Sequence, residues 1–536
     1  MGTRSAAPET SASGPTDRSE PSRVRLLAAL AGVLAAAMTL GVAQLVAAAV
    51  APDSAPLVAV GSAFIDATPP WLKDFAISTF GTRDKFVLLL AMSIVIAALA
   101  GVAGVVARRR WGLGAGLVLL LAAAGGIAAA SRPGAGALAP LASIAGGAAG
   151  LFALRALLAR LPRPGRAAPP PAPARPTRSR GLDRRSFLTA AVLTTAVAAV
   201  AAAGGQLVGR VSRTVETARA ALRLPVAAKP AASLATGVQS GVAGTVAFVT
   251  PNTDFYRIDT ALLVPQVDAD TWSIRVHGLV DNEVTMTFRE LLDTQLIESW
   301  TTLTCVSNEV GGDLAGNAMW LGYPVRELLA RAGPKPDADM VLSTSADGWT
   351  ASTPLGALTD SRNAILAVGM NGEPLPVAHG FPVRMVVPGL YGYVSATKWV
   401  VDLEVTRFAD ARAYWTDRGW SEKGPIKTAS RIEVPRPGSD VGAGTVAVGG
   451  TAWAQHRGIT AVEIRVDDGA WAPATLATEA SVDTWRQWSY RWDATAGDHR
   501  LTVRATDADG SVQTSDSAAP VPDGATGWHS IDVTVR

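Results

Sequence analysis

Five long apolar stretches occupy the first 210 residues of this 536-residue chain, and the remainder has none. They run over 25–50, 86–107, 111–130, 138–158 and 187–209, each approaching the ~20 apolar residues that cross a bilayer core. Such a chain cannot fold as one water-soluble globule, because its first part requires lipid and its second part water. Abundant Ala and Gly in the stretches permit close helix packing. No Asp, Glu or His lies within them, so a tethering bundle is expected rather than an ion path or proton relay. The hydrophobic share of 49% and mean hydropathy of +0.24 agree with membrane segments.

Basic residues orient these spans. Arg18, Arg23 and Arg25 precede the first, Arg108–Arg110 separate the second from the third, and an Arg cluster at 155–185 precedes the fifth. With five spans all three groups fall on one side, the cytoplasm, which leaves everything after residue 210 outside. The loop 51–84 is then external too, with Lys73 and Arg83 in it and Lys85 beside it as counter-signals. A Pro/Ala/Arg linker, 162–183, cannot build a core. The expected order is a disordered cytoplasmic terminus (1–24), four spans (25–161), that linker, a fifth span (184–209) and a second linker (210–244). Arg184 and Arg185 in "DRRSFLTAAVLTTAV" carry two readings, positive-inside flanking or a twin-arginine export signal. The net charge of +3 is too balanced to argue for nucleic acid.

From about 245 the pattern becomes short strands, Gly/Pro/Asp turns and scattered Trp. "WSIRVHGLV" (272–280), "PVRMVVPG" (382–389) and "KWVVDLEVTRF" (398–408) read as strands. "TFRELLDT" (287–294) reads as a short helix, with Thr287 and Glu290 forming a capping box. "YPVRELLARAG" (323–333) is a helix opened by Pro324 and stopped by Gly333. This irregular mixture predicts an α+β domain over 245–430. From 431 to 536 helix signals vanish, and "DDG" (467–469) and "DADG" (507–510) stand where hairpin turns belong. An Ig-like β-sandwich is expected there, serving support or dimerisation.

The chain has one cysteine, Cys305 in "TLTCVSNEVGG". That excludes an intrachain disulfide, a CxxC zinc site, a CxxCH haem attachment and a four-cysteine iron–sulfur cluster. Three readings of it stand. It is a small buried hydrophobe, a thiol nucleophile with His277 or His379 as base, or one soft ligand to a cofactor that brings its own sulfurs.

Downstream motifs bear on that choice. "TLTCVSNEVGG" leading to "WLGYPVRELLARAG", then "DGWTASTPLGAL" (347–358) and "MNGEPLPVAHGFPVRMVVPGLYGYVSATKWVVDLEV" (370–405), resemble in order the molybdenum-cofactor domain of the sulfite oxidase family. The family pattern M-N-G-x-x-L-P-x-x-H-G-x-P-x-R-x-x-x-P-G, followed by K-W, is met throughout. "GTAWAQHRGITAVEIRVDDGAWAPA" resembles the G-x-A-W-x-G-x-x-x-I pattern of that family's C-terminal domain. The resemblance covers about 245–536. It implies a molybdenum–molybdopterin cofactor with Cys305 as the thiolate ligand to the metal. It also implies cofactor contacts from His379, Arg384, Lys398 and the stretch Gly392, Tyr393 and Val394, with Asn308 and Thr344 as further candidates. In "FVTPNTDFYRID" (248–259) the matching positions are Asn252, Tyr256 and Arg257. Arg is suited to such a task because its forked N–H groups clamp phosphate.

The implied reaction is two-electron oxygen-atom transfer on a small oxyanion or oxide. Sulfite oxidases often carry arginines soon after the cysteine, whereas this chain has Glu309 there. Reduction of a sulfoxide or another oxide on the same fold is therefore the alternative, and a cofactor-free binding module a further one. Arg257, Arg418 and Arg431 are candidates to line the substrate pocket. The spans contain no histidine to hold haem, so electrons are expected to pass to or from a separate cytochrome or quinone-linked subunit. A homodimer through the C-terminal domain is also expected.

Overall fold

The computed structural model describes residues 22–50, 54–69, 72, 75, 79–80, 84–132, 135–161, 184–211 and 214–536. Most of the expected cytoplasmic terminus and the whole linker 162–183 lie outside the described residues. The chain divides into two compact units, one of Met1–Asp66 with Ile77–Arg210 and one of Ala67–Ala76 with Val211–Arg536.

The first unit is helical, comprising α1 (Ser22–Val50), α2 (Pro56–Ala67), α3 (Asp84–Arg109), α4 (Trp111–Ala130), α5 (Leu141–Leu158) and α6 (Arg184–Val211). All but α2 are long and apolar enough to cross a membrane. The five expected spans are thus five helices, and α2 adds a short helix where the sequence predicts a loop. Small residues set the packing. A Cβ on Gly32 of α1 would fall 1.9 Å from the Ala100 carbonyl oxygen of α3, and one on Gly146 of α5 would fall 2.5 Å from the Thr39 carbonyl oxygen of α1. These helices touch backbone to backbone, and any larger residue would part them. Asp66 and Arg132 pair at 2.6 Å.

After residue 211 the second unit comprises α7 (Thr214–Ala221) and then two sheets built from a mixed sequence of elements. One sheet has the order β2-β1-β10-β5-β6, from β1 (Ser273–Gly278), β2 (Val284–Thr287), β5 (Met340–Ser345), β6 (Thr350–Pro354) and β10 (Val400–Thr406). The other has the order β3-β4-β7-β8, from β3 (Ile297–Thr304), β4 (Ala315–Pro324), β7 (Ile365–Met370) and β8 (Glu373–Pro374), with β9 (Arg384–Val386) also paired to β7. Short helices join them. α8 (Phe288–Leu292) starts at Thr287, whose hydroxyl accepts from the Glu290 N–H while the Glu290 carboxylate accepts from the Thr287 N–H. α9 (Val325–Ala332) ends at Gly333, which takes φ +68°. Both follow the expected caps. α10 (Leu355–Thr359) and the single turn α11 (Gly392–Ser395) complete this region. A broad core between the sheets holds Ile274, Leu291, Leu328, Val341, Leu366 and Leu403.

From 429 onward the described structure is strand and turn. β11 (Ala429–Val434), β13 (Gly444–Trp453), β17 (Arg486–Ala494) and β16 (Thr475–Leu476) form one sheet in that order. β12 (Asp440–Val441), β19 (His529–Val535), β18 (Gly497–Asp507), β14 (Ile459–Val466) and β15 (Ala472–Pro473) form another. The two share one apolar core, in which Val448, Trp488 and Trp492 of the first sheet meet Ile464, Leu501, Val503 and Ile531 of the second. Asp467, in the expected turn at 467–469, takes φ +51°.

Candidate functional site

Cys305 follows the last residue of β3, so a strand fixed in register against β4 delivers it. Its N–H donates to the Leu314 carbonyl at 2.9 Å, and its own carbonyl accepts from the Asn308 N–H at 3.1 Å. Asn308 Oδ1 then accepts from the Leu314 N–H at 2.8 Å, which closes a compact loop on the cysteine. Asn308 is therefore spent on shaping the loop. Cys305 is half-buried, and burial pushes its thiol up, against hydrogen bonds from the Ser307 backbone and side chain. Glu309 is exposed.

Around this thiol stand groups from distant segments. Tyr256 is close enough to Cys305 and Arg384 for both to act on its ionisation, and burial holds its hydroxyl protonated far above the ordinary range. Tyr391 is another such phenol, pushed up to about 12 by burial, with the Cys305 charge acting in the same direction. Both phenols are thus neutral within electrostatic reach of the thiol, and the Tyr391 hydroxyl accepts from the Lys427 N–H at 3.4 Å. Gly392 of α11 backs onto the Thr304 carbonyl, where an added Cβ would lie 3.9 Å away.

Arg384 is 5% exposed at the start of β9, and its three bonds go to main-chain carbonyls of Met385, His379 and Ala396 at 3.1–3.5 Å. Its guanidinium also lies over the Trp320 ring at 5.1 Å. No carboxylate among the described residues pairs with it. Burial consequently lowers its pKa to about 10, because a buried cation lacking a counter-charge is costly. His379 is held at about 4 by burial and then by the nearby charges of Arg384, Lys398 and Arg257, so it is neutral at ordinary pH. Its ring sits edge-on to Phe255 at 5.7 Å. Lys398 is lowered to about 8 by burial, although Asp259 accepts from its Nζ at 2.6 Å. The same carboxylate pairs with Arg257 at 2.8 Å. Lys398 and Arg257 thus share one carboxylate while Arg384 has none among the described residues, so three cations beside a neutral imidazole are balanced by a single negative charge.

The leading segment is pinned to this cluster through Asn371, at the tight turn after β7 (φ +52°). Asn371 Nδ2 donates to Asn252 Oδ1 at 2.8 Å and to the Thr250 carbonyl at 2.9 Å. Asn252 Nδ2 donates in turn to the Met370 carbonyl at 3.3 Å. The "MNG" turn therefore positions Asn252 as well as turning the chain.

Of the residues singled out in the sequence, these contacts bring together Cys305, Asn252, Tyr256, Arg257, His379, Arg384, Lys398 and Gly392, with Asn308 beneath the cysteine. Others are anchored elsewhere. Tyr393 turns its hydroxyl to the Ser421 carbonyl at 2.8 Å and packs against Trp420, while the Val394 carbonyl accepts from Thr353. Thr344 faces Asp402 and Thr350 across its strand neighbours. Arg418 donates to the Tyr414 carbonyl and lies 3.6 Å over the Tyr414 ring. Arg431, a candidate for the pocket lining, is instead buried against Glu433 at 2.8 Å and donates to the Gly312 carbonyl. Tyr391 and Asp259 were not picked from the sequence. Tyr391 lies within the matched stretch "PGLYGYV", and Asp259 ends the matched "FYRID", so adjacency was the only available signal.

Residues 261–415 match the oxidoreductase molybdopterin binding domain. The chain is 31% identical over 180 residues to an uncharacterised oxidoreductase of Bacillus subtilis, YuiH, covering 33% of this chain and 87% of that one. It is 28% identical over 341 residues to human mitochondrial sulfite oxidase, covering 54% of this chain and 62% of the human one, so it spans less than two thirds of that relative. Among solved structures, sulfane dehydrogenase SoxCD from Paracoccus pantotrophus aligns with a TM-score of 0.48 at 24% identity, over 53% of this chain and 81% of that one. The chain belongs to the sulfite oxidase family of molybdopterin-dependent oxidoreductases, and a molybdenum cofactor goes with that membership. The residues present fit such a group, since the lone thiol and a buried guanidinium with no carboxylate partner among the described residues both lie within electrostatic reach of Tyr256, and an anionic cofactor would neutralise that guanidinium.

Proposed function

We propose that this chain is a membrane-anchored, extracytoplasmic molybdenum-cofactor enzyme that transfers an oxygen atom with two electrons and exchanges those electrons with a separate cytochrome or quinone-linked carrier. One observation carries the reading. Arg384, hydrogen-bonded to carbonyls only, and the sole cysteine both lie within electrostatic reach of Tyr256, which supports a counter-charge site and a metal ligand serving one large anionic cofactor.

In this reading Cys305 ligates the metal. Arg384 and Lys398 hold the cofactor's phosphate, with Asn252, Tyr256, His379 and the Gly392–Val394 backbone around the pterin and Asn308 and Thr344 as outer supports. When bound, the cofactor supplies the two-electron redox chemistry. The protein supplies orientation and charge. Neutral His379 can exchange one hydrogen bond without adding charge, and the protonated Tyr256 and Tyr391 can donate near the sulfur. Arg257 and Arg418 are assigned to the substrate side. The C-terminal two-sheet region, 431–536, is read as Ig-like and as the surface of a homodimer, following the 245–430 cofactor domain.

A second reading concerns the substrate. Glu309 is exposed where sulfite oxidases often place arginine, and Arg257 is already paired with Asp259. A dianion such as sulfite gains from several unpaired arginines, so these features favour a neutral oxide such as a sulfoxide. Turnover assays with sulfite and with a sulfoxide, each coupled to an artificial electron carrier, separate the two.

Elemental analysis of the full chain from a molybdenum-sufficient host tests the main proposal. Near-stoichiometric molybdenum is expected, and its absence would overturn the reading. Cys305→Ser should leave the fold intact and abolish turnover; a correctly metallated variant that retains activity would remove the ligand role.

A further inference from the structure

We propose that Gln455 is a positioning residue for Cys305, reaching from the C-terminal two-sheet region to close the open edge of β3 and hold the strand end from which the cysteine projects. This rests on the reading of Cys305 as the metal ligand.

β3 is the edge strand of its sheet, so one side of its backbone faces away from β4. Exposed edge groups require partners when buried. Near the start of β3, the Glu298 N–H donates to the Lys229 carbonyl at 2.9 Å. Near its end the partners come from beyond residue 450. The Thr302 N–H donates to the Asp483 carbonyl at 3.0 Å. Gln455 Nε2 donates to the Thr302 carbonyl at 3.2 Å and to Thr304 Oγ1 at 2.9 Å. Thr302 Oγ1 accepts from the Trp485 N–H at 2.8 Å and donates to Asn317 Oδ1 at 3.0 Å. One amide thus spans alternate residues of the strand immediately before Cys305.

The amide orientation follows from its partners. Gln455 is fully buried, and its Oε1 has no partner among the described residues. Reversing the amide would set that oxygen against the Thr302 carbonyl, which can only accept. Beyond the cysteine the same region grips the loop again. Arg431 Nη1 donates to the Gly312 carbonyl at 2.8 Å, and an added Cβ on Gly311 would fall 2.2 Å from the His529 ring. The cysteine loop is therefore held on both sides by the C-terminal region, and Gln455 is the member nearest the thiol in sequence contact. Gln455 also stands where the family pattern G-x-A-W-x-G has glycine, which has no side chain to donate, so the device is this chain's own.

The test compares Gln455→Met, which keeps volume but removes the donor, with Val448→Ala, which opens the core between the two C-terminal sheets. The full-length chain in detergent is prepared metal-free and molybdenum-loaded. Because Cys305 is the only cysteine, iodoacetamide consumption by the metal-free chain reads its exposure alone. Gln455→Met should raise that rate about fivefold to tenfold, the scale of one or two buried hydrogen bonds, and should shift the Mo(V) paramagnetic resonance signal of the loaded chain. Val448→Ala should lower stability and move neither readout. Thr304→Val, losing one acceptor, should give a smaller rise of the same sign and stands in if Gln455→Met does not fold. Wild-type alkylation and resonance in the glutamine variant, no rise in Thr304→Val, or an equal change in Val448→Ala, overturns the inference. A wild-type chain without molybdenum would sink the proposed function instead, while the alkylation comparison would still decide the role of Gln455 in holding the strand end.

Discussion

If Arg384 holds the cofactor as proposed, it couples stability and cofactor capture with opposite signs. Buried among carbonyls without a carboxylate, its charge destabilises the cofactor-free fold until an anion arrives. Arg384→Met should therefore stabilise the metal-free chain by about 1 kcal/mol while molybdenum content falls, as measured by thermal melts and elemental analysis of the same preparations. His529 makes a second prediction. Its Nδ1 accepts from the Ile432 N–H at 2.9 Å, and burial, then Arg431, lowers its pKa from 6.5 to about 4. The unfolded chain takes up a proton between those values that the folded chain refuses. Stability is thus present above pH 6.5 and lost as pH falls toward 4, by up to about 3 kcal/mol from this residue. His529→Gln keeps an acceptor without the titration, so urea melts at pH 7 and pH 4.5 should show a smaller acid loss in the variant. Cys305, His379 and Arg384 were legible in the sequence because each sits inside an ordered motif. Gln455 was not, since its partners Thr302 and Thr304 lie more than 150 positions away.

Secondary structure was most legible where local chemistry decides it. The Thr287–Glu290 box and the Pro324 and Gly333 boundaries need only neighbours a few residues apart, and both helices form within them. Thr287→Ala should cost about 1 kcal/mol in a chemical melt. The predicted strand at 382–389 shrinks to Arg384–Val386, because only that part finds a partner on β7. Strand length depends on the neighbour as much as on the segment. Gly311 marks the contact of the cysteine loop with β19. It takes φ +80° and has no room for a Cβ beside the His529 ring. Gly311→Ala should cost more than about 1 kcal/mol from the backbone conformation alone and should also raise alkylation of Cys305. A variant with wild-type stability and alkylation would show that the loop adjusts without the β19 contact.

Over the whole molecule, the apolar helices and the basic residues between them lead to a topology that fusions can test. A phosphatase active only outside the cytoplasm, joined after Arg536, should be active, whereas one joined within 162–183 should not. Arg184→Lys with Arg185→Lys should block export of the folded domain if the pair is an export signal; normal export would leave these residues as topology markers only. The sequence by itself determined that the first part carries five helices long and apolar enough to cross a bilayer, because runs of about twenty apolar residues favour a helix of that length. It also determined family and cofactor, and it singled out Cys305 as the candidate ligand, because each resides in short contiguous motifs. Only the tertiary structure decided that Arg384 has no carboxylate partner among the described residues, that Asp259 is shared by Arg257 and Lys398, and that the C-terminal sheets close the edge of β3. Those facts depend on which distant segments meet. Burial and pairing are properties of the packed chain, and no local pattern specifies them.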